Sequence, residues 1–151
     1  MKIIFPSFLK MTQVQQEICS LLLNLLGLHG IIRDGQVDLI DFALHRNFIT
    51  LEQRCVDGYT PLACAAIENR PDIAEYLIDR GANMEAQDND GNTPMLLAIK
   101  YGNIEVIKIL VKHGANLYGS DKYGNSYMTV AQSRDNAEII EYLMPFYSPG
   151  G

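Results

Sequence analysis

The side chains with the widest chemical range in this chain are three histidines and three cysteines, and they are scattered along it. They are His29, His45, His113, Cys19, Cys55 and Cys64. Zinc sites commonly draw their ligands in close pairs such as C-x-x-C, and the sequence contains no such pair. The spacing therefore predicts structural roles for the histidines and no metal site. The odd number of cysteines is typical of a reducing compartment.

One acidic segment, Asp88–Gly91, resembles the start of a calcium-binding loop. An EF-hand loop needs a further acidic ligand after its glycine and a bidentate glutamate at its twelfth position. The first glutamate after Gly91 is Glu105, which lies too far along the chain. The segment is therefore interpreted as a turn, and no calcium is expected.

The arrangements that usually signal catalysis do not stand out in the sequence. There is no glycine-rich phosphate loop, no recognisable Ser/His/Asp set and no paired-carboxylate signature. The sequence therefore predicts no catalytic residue, no cofactor and no enzymatic activity.

Composition and charge narrow the class of partner. The chain has 151 residues, of which 48% are hydrophobic and 20% charged, as expected of a single folded domain. Its net charge of −6 disfavours binding to nucleic acid and to anionic membrane surfaces. The longest apolar stretch, residues 21–32, is too short to cross a bilayer as a helix. We therefore expect no nucleic-acid partner and no membrane insertion.

Three glycines recur at a fixed interval, because Gly58, Gly91 and Gly124 are separated by 33 residues each. They stand in related segments, DGYTPL at 57–62, DGNTPM at 90–95 and YGNSYM at 123–128. A second motif, Gly-Ala-Asn, begins at Gly81 and again at Gly114, with the same period. This period and these two motifs together resemble the ankyrin repeat.

The resemblance implies an all-α fold, an ankyrin-repeat solenoid of helix-turn-helix units with projecting β-hairpin loops and an extra N-terminal helix. Residues at the expected helix starts agree with this fold. Thr60, Thr93 and Ser126 are suited to cap the first helix of each repeat. Pro61 and Pro94 then stand at the first helical position, where a missing N–H has no cost.

The chain is interpreted as a single ankyrin-repeat domain over residues 1–151. It divides into an extension at 1–11, a capping helix and degenerate first repeat at 12–54, and repeats at 55–87, 88–120 and 121–148. In the degenerate repeat, Leu28 and His29 keep the end of the family's Thr-Pro-Leu-His motif. The capping helix carries one apolar face, formed by Val14, Ile18, Leu21, Leu22, Leu25 and Leu26.

Ankyrin proteins usually meet their partners with the tips of the loops and with the concave face of the first helices. Carried over position by position, the resemblance implies a partner-binding set on this chain. Its members are Asp57, Tyr59, Ile67, Glu68, Asp90, Asn92, Lys100, Tyr101, Lys122, Tyr123 and Arg134. The tyrosines among them either anchor a partner or pack against neighbouring loops, and the sequence leaves both possibilities open.

The function implied is a non-catalytic protein–protein interaction module that is monomeric alone, located in the cytoplasm, and acts as an adaptor or an inhibitor. Two alternatives remain. One is a regulatory ankyrin domain or fragment of a larger enzyme or channel. The other is an effector that an intracellular bacterium delivers into host cytoplasm. The start at Met1, followed by a dedicated N-terminal helix, favours a whole protein over a fragment.

Overall fold

A computed structural model describes residues 12–147 of the chain, so the predicted extension at 1–11 and residue 148 of the last predicted repeat lie outside it. The described residues form eight α-helices and one short 3-10 turn at Val56–Gly58. The helices are α1 Gln13–Arg33, α2 Val37–His45, α3 Pro61–Ile67, α4 Pro71–Asp79, α5 Pro94–Tyr101, α6 Ile104–Lys112, α7 Tyr127–Ser133 and α8 Ala137–Tyr147.

The helices stack in two layers, as the repeat period predicts. In one layer α1 packs on α3, α3 on α5, and α5 on α7. In the other layer α4 packs on α6, and each repeat joins the layers through its own pair, such as α3 with α4. Fully buried side chains fill the space between the layers, Leu62 and Leu96 from one side, Ile73 and Leu110 from the other. The predicted all-α repeat solenoid is confirmed.

The first helix of each full repeat begins at the hydroxyl residue predicted to cap it. Thr60, Thr93 and Ser126 each accept a hydrogen bond from the backbone N–H three residues later, at 3.2 Å in every case. These bonds satisfy donors that the first turn of a helix otherwise leaves unpaired. The second helices α4 and α6 are followed by Gly81 and Gly114, whose φ angles are 94° and 85°. Both glycines therefore adopt the left-handed conformation that ends a helix.

The loops between repeats are turns, whereas the resemblance implied β-hairpins. Among residues 12–147, strand pairing is limited to one isolated antiparallel bridge between Ser120 and Ser126. Each loop has one backbone hydrogen bond across its base, such as that from Asp121 N to Asn125 O at 2.9 Å, and a second inside the turn, such as that from Gly124 N to Asp121 O at 3.0 Å. Hydrogen bonds from side chains hold the rest of each loop.

The apolar face of the capping helix is largely exposed. Helix α1 breaks at Gly27, whose φ of 67° and ψ of 170° are not helical. The segment before the break turns outward and leaves Val14, Leu21 and Leu25 exposed, Leu25 by 81%. Cys19 is the residue of this segment that is fully buried. Leu22 of the same face is half-buried against the core, so the apolar stripe identified in the sequence is mostly a surface feature.

None of the helices within residues 12–147 combines the length and the apolar character needed to cross a bilayer.

Candidate partner-binding face

Three loops, which we call fingers, project between the repeats at residues 55–59, 88–92 and 121–125. In the second finger, Asp88 Oδ1 accepts hydrogen bonds from the backbone N–H of Asp90 and of Asn92, at 2.9 and 2.8 Å. In the third finger, Asp121 Oδ1 accepts from Tyr123 and Asn125 with the same pattern, at 2.9 Å each. In both of these fingers, an aspartate at the start of the loop thus holds the turn.

The first finger has Cys55 where the others have aspartate, and it is held in a different way. Arg54 donates from Nη1 to the carbonyl oxygen of Gly58 at 2.8 Å, and also to the carbonyl oxygen of Gln87. The guanidinium therefore bridges the first and second fingers. Asn89 N donates to Asp57 O at 3.2 Å and adds a second link between them.

An ion pair joins the tips of the second and third fingers. Lys122 Nζ donates to Asp90 Oδ1 at 2.8 Å, and both residues are exposed. This bond holds the pKa of the Asp90 carboxyl below its ordinary range and raises the pKa of Lys122. Because both groups face water, the pair adds little to stability, and it links the two tips without holding them rigidly.

Asn92 is not a surface residue, contrary to the expectation that it contacts a partner. Its side chain is 6% exposed, and its Nδ2 donates to Asp88 Oδ2 at 2.8 Å. Its Oδ1 accepts from Lys100 Nζ at 2.5 Å. The chain needs an amide here because one group must both donate to a carboxylate and accept from an ammonium. Asn92 therefore orients Lys100, and its own amide group is almost wholly shielded from solvent.

Two of the predicted tyrosines lie close together. Tyr59 is half-buried, and its pKa is raised first by burial and next by the neighbouring Tyr101. Tyr101 itself is 56% exposed at the end of α5. Ile67 is half-buried at the end of α3, where its carbonyl oxygen accepts from Asn103 Nδ2 at 3.0 Å. Of the two tyrosines, Tyr101 thus exposes more of its ring to solvent.

An open cavity of about 290 Å³ lies at the base of the third finger. Lys100, Tyr123 and Arg134 from the predicted set line it. Tyr123 is 77% exposed, and the ammonium of Lys122 lies 5.4 Å from the centre of its ring. The lining also includes Asn125 and Ser133, at a finger position and a helix end that the repeat pattern marks, and Asp121, Thr129 and Val130, which the sequence did not indicate.

Glu68 is held by a partner within the chain. Its Oε1 lies 2.6 Å from Nε2 of His29, which comes from the first repeat. The other imidazole nitrogen, Nδ1, lies 3.7 Å from Cys64 Sγ. Cys64 Sγ is in turn 3.6 Å from Cys55 Sγ. His29 is far from Cys55 and Cys64 in the sequence, but the stacking of the repeats brings the three residues together.

The comparisons with known proteins agree with the architecture. A family model described as ankyrin repeats (3 copies) matches residues 10–88 and 80–149. No curated protein matches the chain.

Proposed function

The chain belongs to the ankyrin-repeat family, whose members are generally interaction modules without catalysis, and from that premise we propose that it binds a partner protein through its fingers and the adjacent ends of α5 and α7. The observation that carries the proposal is the open cavity beside Tyr123, with Lys100 and Arg134 in its lining. An exposed aromatic ring with charged neighbours has the composition of a binding patch. Tyr101 extends the aromatic surface toward the second repeat.

The charges of this face favour a partner with an acidic or amide-bearing segment. Lys100 and Arg134 line the cavity, and Lys122 stands beside Tyr123. The one carboxylate in the lining, Asp121, is already engaged by Asn125, which lowers its pKa. Hydrogen-bond donors at the cavity therefore outnumber acceptors that remain available, which supports recognition of an anionic or carbonyl group.

The links between the fingers support binding with little rearrangement. The second and third tips are tied by Lys122 and Asp90, and the first and second by Arg54. A surface that is ordered before association loses less conformational entropy on binding. Within this proposal the chain acts as an adaptor or as an inhibitor in the cytoplasm, or in the cytoplasm of a host if a bacterium delivers it.

Affinity capture with matched variants tests the proposal. The immobilised chain is exposed to an extract of cells that express it, and the captured proteins are identified by mass spectrometry. The test variant combines Tyr101→Ala and Tyr123→Ala. The control is Glu141→Ala, an exposed change on α8 in the opposite layer.

We expect a protein that is captured equally by the wild type and the control and is lost with the double variant. Equal capture by all three forms would contradict binding at this face. The size of the reconstituted complex then separates the two roles. An adaptor holds two different proteins at once, whereas an inhibitor forms a complex with one.

A further inference from the structure

We propose that His29, Cys55 and Cys64 form a zinc site at the junction of the first and second repeats. One ligand atom from each residue lies within 4.8 Å of the other two. Cys64 is fully buried in α3, whereas Cys55 at the root of the first finger is half-buried. A cysteine pair with an imidazole is a ligand set that zinc prefers.

The distances between the ligand atoms fit tetrahedral coordination. With Zn–S bonds of about 2.3 Å and Zn–N bonds of about 2.0–2.1 Å, a tetrahedral site has S···S and S···N edges of roughly 3.8 and 3.6 Å. The Cys55–Cys64 and Cys64–His29 separations are 3.6 and 3.7 Å. Two of the three edges therefore already have the required length. The third edge, between Cys55 and the imidazole, is no longer than 4.8 Å and has to shorten by at most about 1.2 Å.

Glu68 completes an arrangement typical of metal-binding histidines. It holds Nε2 of His29 at 2.6 Å, which leaves Nδ1 facing Cys64. A carboxylate in this position keeps the proton on Nε2 and gives Nδ1 the lone pair that a metal needs. This contact is an independent observation, because nothing about the thiols requires it.

Binding must displace the thiol protons. Burial, and next the neighbouring Cys55, raise the pKa of the Cys64 thiol, so without a cation it stays protonated. Zinc deprotonates a coordinating thiol outright. One Zn²⁺ bound to two thiolates and a neutral imidazole thus releases two protons to solvent. The fourth position is left to water, which reaches the site past the partly exposed His29.

Zinc binding by the full chain is measured under reducing conditions. The protein is stripped with a chelator, its three thiols are confirmed by titration, and Zn²⁺ alone is added in competition with a chromophoric chelator. Co²⁺ is added in a parallel sample, because its visible absorption reports tetrahedral coordination and its near-ultraviolet absorption reports thiolate ligands. The variants are Cys55→Ser, Cys64→Ala and His29→Gln. Cys19→Ala is the matched control, a buried cysteine outside the cluster.

We expect one Zn²⁺ per chain in the wild type and in Cys19→Ala, with both Co²⁺ signals present. Each ligand variant should lose at least tenfold in affinity, and acidification should weaken the wild type by up to about a hundredfold per pH unit, because two protons are exchanged. Failure of the wild type to bind Zn²⁺, or equal Zn²⁺ affinity of the wild type and the three ligand variants, would overturn the proposal. So would a thiol titration showing that Cys55 and Cys64 remain a disulfide under reductant.

The Glu68→Gln variant separates coordination from packing. Loss of the carboxylate should weaken Zn²⁺ binding by about 10–100-fold, while the melting temperature of the zinc-free protein stays close to that of the wild type. A purely structural contact would give the reverse pattern, with a lower melting temperature and an unchanged zinc affinity.

Discussion

The hydroxyls of Thr93 and Tyr127 lie 2.6 Å apart, across the interface between the second and third full repeats. Tyr127 stands at the first position of α7, where Pro61 and Pro94 begin α3 and α5. Its side chain is 1% exposed, and burial raises its pKa. The last repeat has therefore replaced a proline that only starts a helix with a tyrosine that also joins two repeats.

Replacing Tyr127 by phenylalanine should lower the free energy of unfolding by about 0.5–1.5 kcal/mol. The ring keeps its volume, but one buried hydrogen bond is lost. Urea denaturation measures the difference, with Tyr101→Phe as the control, because Tyr101 is exposed. Equal stability of the two variants would show that the bond to Thr93 contributes nothing.

Replacing Tyr101 by alanine should weaken the partner complex by about 2 kcal/mol, or roughly 30-fold in Kd. The melting temperature should barely change, since substitutions of exposed residues usually stay within about 0.5 kcal/mol. Calorimetry of the purified complex gives the affinity, and a thermal melt of the free chain gives the stability. Lost stability with intact binding would make Tyr101 a packing residue.

Replacing Lys122 by alanine should raise the pKa of the Asp90 carboxyl toward its ordinary value. In the folded chain the Lys122 ammonium lowers this pKa. The contribution of the ion pair to the free energy of unfolding is therefore fully present above the unfolded pKa of the carboxyl, about 3.9. It is lost as the pH falls through the lower pKa of the folded state. NMR titration of the carboxyl carbons measures the shift.

Asp121 supplies an internal control in the same titration. Its pKa is lowered chiefly by the side chain of Asn125, and Lys122 is not among the causes. Its titration should stay unchanged in the Lys122→Ala variant. If the titration of Asp90 also stayed unchanged in this variant, the result would contradict the ion pair between the fingertips.

Replacing Leu77 by alanine should cost about 2–5 kcal/mol in stability, because it leaves a cavity in the core. The same change at Leu21 should cost no more than about 0.5 kcal/mol. Leu77 is fully buried in α4, whereas Leu21 is 66% exposed on α1. Urea denaturation of both variants compares them directly. Similar losses would mean that the stripe on α1 is covered in solution.

The repeat sequence predicted the elements well because its signals are local. A capping hydroxyl, a proline and a terminating glycine each act within one helical turn, so Thr93, Pro94 and Gly114 took the predicted positions. The recurrence of such residues at one period carried the resemblance to the family, and the resemblance in turn implied the helical layers and the places of the fingers.

What the sequence did not predict depends on contacts between repeats. Periodicity identified the apolar side of the helix around Leu21, but a terminal helix has a neighbour on one side only, and the pattern does not say which side that is. Asn92 was expected at the surface, although Asp88 and Lys100 draw it inward. His29 and Cys64 are 35 residues apart and meet only because adjacent repeats stack.

The break at Gly27 has a consequence for how this protein can vary. Its φ of 67° and ψ of 170° belong to a region that is essentially restricted to glycine. A Cβ atom there would meet nothing within 4 Å, so conformation alone restricts the position. The segment of α1 before Gly27 is about 20 Å long and carries the exposed leucines. The φ and ψ angles of Gly27 set its direction. The orientation of the whole N-terminal segment thus depends on one residue, and every substitution of Gly27 disfavours the break that sets it.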